Sequence, residues 1–96
     1  MRLPKNRPPV HPGEILLEEF LKPMGVSQVD FARHIGWTTT KLSEIIKGKR
    51  GITPKSALQL GDVLGTSPGL WHGMQQDYDF WKAMQEHKPL PKLKVS

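Results

Sequence analysis

"SQVDFARHIGWTTTKLSEIIKGKRGITP", residues 27–54, holds two short apolar patterns separated by a glycine and followed by a basic, glycine-rich run. Ser27, with Asp30 three residues on, reads as a helix N-cap with a capping-box-like partner. Val29, Phe31, Ala32 and Ile35 supply the apolar positions, and Gly36 closes a helix barely two turns long. Thr38 caps the next helix, which runs through Lys47 and ends at Gly48. At roughly 100° per residue, Leu42, Ile45 and Ile46 share one arc and are expected to bury, while Thr40, Ser43, Glu44 and Lys47 share the opposite one. Thr39 and Lys41 flank that exposed face. Two short helices joined through Gly36 and Trp37 make a helix-turn-helix, whose second helix presents its N-terminal turns to the DNA major groove.

Working outward, "GEILLEEFLK" at 13–22 predicts a first helix, with Pro23 stopping it before Gly25. Thr53 with Pro54, and Ser67 with Pro68, are N-cap and first-turn proline pairs that launch a fourth and a fifth helix. No alternating strand pattern competes, so the expected class is all-α with five helices. Pro4, Pro8 and Pro9 make residues 1–10 a flexible basic arm, and Pro89 and Pro91 do the same for a basic tail over 88–96. The folded domain is expected over 11–87.

The chain has 96 residues, enough for one small core and little room for a large enzyme cleft. With no cysteine it has neither a disulfide framework nor a thiolate metal site, which fits a reducing cytoplasm. It carries 14 Lys and Arg against 9 Asp and Glu, a formal charge of +5, so a polyanion suits it as a partner. The distribution is uneven: residues 41–55 hold Lys41, Lys47, Lys49, Arg50 and Lys55 against Glu44 alone, between two acidic neighbours. There is no apolar run long enough to span a membrane and no signal-peptide core.

These patterns nominate side chains. Thr39, Thr40, Ser43 and Glu44 are candidates for base contacts, the threonine methyls meeting thymine methyls and the hydroxyls meeting bases or phosphates. The alternative for both threonines is competition for the helix cap. Glu44 either accepts from a cytosine amino group or pairs with Lys41 or Lys47 on a solvated face. Gln28, Thr38, Lys41, Lys47, Lys49 and Arg50 are candidates for phosphate contacts. Trp37 either lids the core or stacks on the nucleic acid.

"HPGEIL" at 11–16, "GVSQVDFARHIG" at 25–36, "GKRGITP" at 48–54 and "LGTSPGLW" at 64–71 together resemble the HigA (VapI-like) antitoxins of type II toxin–antitoxin modules, within the phage-repressor-like (XRE) helix-turn-helix class. The resemblance implies a five-helix phage-repressor-like fold and a homodimer that binds palindromic operator DNA, represses its operon and neutralises a HigB-type ribonuclease toxin. It also places Gln28, Thr39, Thr40, Lys41, Ser43 and Glu44 where this class touches DNA, while "WTTTK" at 37–41 departs from the family's usual residues. A stand-alone XRE-type repressor without a toxin is the alternative.

In the last helix Leu70, Trp71, Met74, Tyr78, Trp81 and Met84 recur at helical spacing. Leu70 and Trp71 are expected in the core. Tyr78, Trp81 and the off-stripe Phe80 are candidates for a two-fold dimer interface, the alternative being packing on the first helix. Glu14, Glu18 and Glu19 form an acidic patch that would suit a basic, RNA-cleaving toxin, or simply a solvated helix face. His11, His34, His72 and His87 are too scattered for a metal site, and "GKRG" lacks the spacing of a phosphate loop. No enzyme, cofactor, metal or small-molecule substrate is expected.

Overall fold

The computed structural model describes residues 9–95, so of the expected N-terminal arm only Pro9 and Val10 are in view, and Ser96 lies outside it. An α-helical turn Pro12–Ile15, a π-helical segment Leu16–Leu21 and a last turn Lys22–Met24 run on as one helix, α1. Four more follow: α2 over Gln28–Ile35, α3 over Thr39–Ile46, α4 over Pro54–Leu64 and α5 over Pro68–Glu86. All are helices; no strand occurs among the described residues, and no described helix is long and apolar enough to cross a membrane.

The N-caps act as their sequence predicts. The hydroxyls of Ser27, Thr38, Thr53 and Ser67 accept from the backbone N–H of Asp30, Lys41, Ser56 and Gly69 respectively. Gly36 ends α2 at φ 82°, the left-handed conformation that turns the chain sharply enough to start α3 at Thr38. Helix α1 differs from expectation at both ends: it starts at Pro12 and passes through Pro23 to a left-handed Gly25. Pro23 has no N–H to donate, and its ring would crowd the carbonyl one α-turn back. The wider π-turn before it, marked by the Lys22 N–H donating to the Leu17 carbonyl, relieves that crowding, so the helix continues.

The core gathers Leu16 and Leu21 of α1, Phe31, Ala32 and Ile35 of α2, Leu42 and Ile45 of α3, Ala57 and Leu60 of α4 and Trp71 of α5, with Trp37 and Ile52 from the connections. Trp71 is fully buried, lies 5.4 Å from the Phe20 ring, and donates its indole N–H to the Thr66 hydroxyl at 2.7 Å. Its neighbour Leu70 is 44% exposed and not a core residue, because one position along a helix turns the side chain about 100°. Val29 likewise lies off the arc set by Phe31, Ala32 and Ile35 and is 53% exposed, and Ile46 is only half-buried. Trp37 is the lid of the core: it is buried against Phe31 and donates to Gln59 Oε1 at 2.9 Å.

The sequence "HPGE" at 11–14 is explained by close packing. His11 Nδ1 accepts from the Gly13 N–H at 2.9 Å, which makes a histidine the N-cap of α1, and Pro12 occupies the first helical position. At Gly13 the helix meets the backbone of α3 so closely that a Cβ there would collide with the Ile45 carbonyl. The His11 ring lies beneath Gly48 and edge-on to Tyr78 at a centroid distance of 4.8 Å, joining α1, the end of α3 and α5.

Gly13→Ala is expected to destabilise the fold by about 1–3 kcal/mol, because the obstructing atoms are backbone and cannot rotate away. Gly73→Ala, in α5 with open space around the position, is expected to stabilise by about 0.5–1 kcal/mol. Urea denaturation of the two variants side by side checks both signs. A third expectation concerns pH. Burial lowers the pKa of His11, against the opposing pull of Asp79 and Glu14, and protonation would remove the Nδ1 acceptor. The unfolded chain thus takes up a proton near pH 6.5 that folded His11 resists. Its contribution is complete above that pH and is lost as pH falls through the lower folded pKa. Melting temperatures of wild type and His11→Asn, which keeps a capping acceptor, should diverge less as pH falls from 7 to 5 if this is so; a constant difference would refute it.

Candidate nucleic-acid interface

Capping leaves Gln28 at the first position of α2, beside the first turns of α3, which sit across the Gly36–Trp37 turn. The two helices leave a shallow groove of about 420 Å³ between them, lined by Gln28, Val29, Thr39, Thr40, Ser43, Glu44 and Lys47. All of these except Val29 were nominated from sequence, and the fold brings them together on one surface. Thr39, Thr40, Lys47 and Gln28 are exposed, and Ser43 and Glu44 half-buried. Thr38 stands at the edge with its hydroxyl already accepting from the Lys41 N–H at 3.0 Å.

The flanking cations are arranged around this groove in two different ways. Lys41 lies to one side with its ammonium 4.6 Å above the Trp37 ring, a cation–π contact. Its pKa is lowered chiefly by this partial withdrawal from water and further by the neighbouring Arg50 and Lys55 cations. Arg50 and Lys55 are thus held within electrostatic reach of Lys41, a repulsion that a bound polyanion would relieve. Lys55 was not among the nominated residues; its signal was membership of the basic run 41–55.

The loop after α3 folds back on that helix. The N–H groups of Lys49 and Arg50 both donate to the Glu44 carbonyl, at 2.9 and 3.2 Å. The Arg50 guanidinium reaches Glu44 Oε1 at 2.7 Å. Glu44 therefore pairs with Arg50, and with neither Lys41 nor Lys47, because the returning loop brings Arg50 over the helix face. Both side chains are part-exposed, so the pair contributes about 0–1 kcal/mol and is easily exchanged.

Gln75 of α5 clamps the far side of the loop. It is buried, accepts from the Ile52 N–H at 2.8 Å and donates to Asp79 at 2.9 Å. Lys49 and Arg50 share a second depression with Lys82, which extends the basic edge onto α5. Nothing in the sequence pattern marked Gln75 or Lys82, whose positions follow from how α5 crosses the loop.

Of the residues nominated for other roles, Phe80 is 61% exposed and lines an apolar hollow with Ala83, Met84 and His87. Trp81 is half-buried, and Tyr78 rests on His11 within the chain. Glu14, Glu18 and Glu19 are exposed on α1 to differing degrees, Glu18 engaging Lys22 one turn on at 2.8 Å.

Residues 17–71 match the family model described as helix-turn-helix. Virulence-associated protein I of Dichelobacter nodosus is 40% identical over 83 residues, covering 86% of this chain and 77% of that protein. Antitoxin HigA-1 of Vibrio cholerae serotype O1 is 34% identical over 88 residues, covering 92% and 82%. Among solved structures, antitoxin GraA in complex with its operator superposes with a TM-score of 0.81 at 34% identity, covering 98% of this chain and all of that one. Capped turn, exposed threonine face and basic loop thus sit on a fold shared across a family, and the chain belongs to the XRE-type helix-turn-helix proteins, among the HigA antitoxins.

Proposed function

We propose that this protein is the antitoxin of a type II toxin–antitoxin module, acting in the cytoplasm, which binds and neutralises a HigB-type ribonuclease toxin and, as a dimer, represses its own operon. The observation that carries the DNA-binding half is the groove between α2 and α3, which brings Gln28, Thr39, Thr40, Ser43, Glu44 and Lys47 onto one surface. In this reading Thr39, Thr40, Ser43 and Glu44 meet base edges in the major groove. Gln28, at an N–H-rich helix start, and Thr38, Lys41, Lys47, Lys49 and Arg50 meet phosphates. The relatives support it: one solved neighbour is an antitoxin bound to its operator, and another is the HigA antitoxin of Pseudomonas aeruginosa with the higBA promoter.

Dimerisation is assigned to α5. Its exposed Phe80 and the adjoining hollow offer a second copy an apolar face, with Trp81 beside it; Tyr78 contributes through the face not packed on His11. Two α3 helices then fall about 34 Å apart, or a multiple of it, on a palindromic site. The toxin contact is assigned to Glu14, Glu18 and Glu19, acids of α1 facing an RNA-binding and therefore basic surface. The basic terminal segments, 1–10 and 88–96, complete the electrostatic attraction to DNA.

Co-expression of the tagged chain with the product of the small open reading frame beside its gene tests the antitoxin half. A stable co-purified complex is expected, weakened by charge reversal at Glu14, Glu18 and Glu19; a neighbour that does not bind leaves a stand-alone repressor. For the DNA half, alanine at Lys47, Lys49 and Arg50 should weaken all duplexes alike. It should also reduce the slope of log affinity against log salt by about 0.9 for each phosphate no longer neutralised. Alanine at Thr39, Thr40 or Glu44 should instead erode discrimination by about 1–3 kcal/mol per base contact. Fluorescence anisotropy on cognate and scrambled duplexes separates the two, and a loss confined to the wrong class would overturn the assignment.

A further inference from the structure

We infer that Val29 reads a thymine 5-methyl group in each half-site. The inference rests on the DNA-binding reading above and extends it to a residue of α2, outside the recognition helix.

The groove that holds Thr39, Thr40, Ser43 and Glu44 has one side chain with no hydrogen-bonding atom, and that is Val29. It is 53% exposed, although β-branched apolar residues are ordinarily buried. A single exposed valine on a protein surface calls for no explanation. This one, however, stands beside Gln28 and faces the same hollow as the methyl-bearing Thr39 and Thr40, on a surface otherwise lined by amide, hydroxyl, carboxylate and ammonium groups. In the major groove the base edges offer donors, acceptors and one apolar feature, the thymine methyl. A hydrogen-bonding base edge set against Val29 would lose its water without gaining a partner, whereas a methyl group loses only unfavourable hydration.

The backbone makes the contact well defined. Val29 is the second residue of a helix whose start is fixed by the Ser27 hydroxyl on the Asp30 N–H, and a β-branched side chain in a helix has one strongly preferred rotamer. Little conformational freedom is therefore lost when the methyls of Val29 meet a base. Gln28, one position earlier and lining the same groove, holds the adjacent phosphate in this arrangement.

The test uses the full chain and a duplex that it selects from a randomised pool about 30 base pairs long, room for two half-sites a helical turn apart. Each thymine of the recovered duplex is replaced in turn by deoxyuridine, which keeps the pairing and removes only the 5-methyl. Wild type should lose about fourfold in affinity at the step read by Val29, as expected for burying one methyl-sized group. Val29→Ala should bind the thymine duplex correspondingly more weakly and be indifferent to uracil at that step. Val29→Ile should keep the sensitivity. Steps read by Thr39 or Thr40 should stay sensitive in all three proteins. Alanine at an exposed helical position leaves folding intact, which a melting curve verifies. Uracil effects that are absent in wild type, or identical in wild type and Val29→Ala, would overturn the assignment while leaving DNA binding in place. Failure to enrich any duplex would overturn the DNA-binding reading itself, and this inference with it.

Discussion

Backbone contact between the start of α1 and the end of α3 is the constraint on which the rest of the molecule depends. Gly13 lies against the Ile45 carbonyl with no room for a side chain, and His11 fills the space beneath Gly48. Helix starts leave N–H groups without partners, and burying one without an acceptor costs about 1–3 kcal/mol. His11 Nδ1 supplies the acceptor from inside the chain, so the first turn of α1 can be buried rather than left in water. The consequence reaches the candidate interface: α3 is held from behind by a backbone, which cannot relax as side chains do, and its polar face is presented at a fixed height.

The loop 48–53 is held on the opposite side by a polar clasp. Gln75 satisfies the Ile52 N–H and is itself oriented by Asp79, both bonds reaching from α5. A buried amide with its acceptor and a donor engaged orders the loop without placing a charge in the interior. Lys49 and Arg50 are thereby held beside α3 and not left on a free loop. Between Gly13 of α1 and Gln75 of α5, the recognition helix and its cations form one preorganised unit, which lowers the ordering cost of meeting a nucleic acid.

The electrostatics of the free protein fit that purpose. Arg50 and Lys55 are close enough to Lys41 to disfavour its charge, and Arg50 has a carboxylate partner in Glu44. A part-exposed pair such as Glu44 with Arg50 is weak, so in the proposed reading a phosphate replaces the carboxylate at small cost and frees Glu44 for a base edge. In that reading the same carboxylate also repels phosphates, which works against indiscriminate binding.

Much of this was legible in the chain. The caps Ser27, Thr38, Thr53 and Ser67, and the left-handed Gly36, are local devices whose effect depends on a few neighbouring residues, so helix starts, the turn and the helix-turn-helix followed from sequence. The exposed arc of α3 followed too, since helical periodicity alone separates Thr40 and Lys47 from Leu42 and Ile45. Pro23 misled because a proline normally ends a helix, and the π-turn that accommodates it is not coded by local propensity. Which apolar residues are buried among neighbours in the stripe, Trp71 and not Leu70, depended on what lies across from the helix. The sequence by itself therefore determined where α2 to α5 begin and which face of α3 stays polar, because those are short-range properties of the backbone. Only the tertiary structure decided that Arg50 meets Glu44, that Gln75 clasps the loop and that Val29 joins the groove, because each joins parts of the chain whose meeting is set by packing.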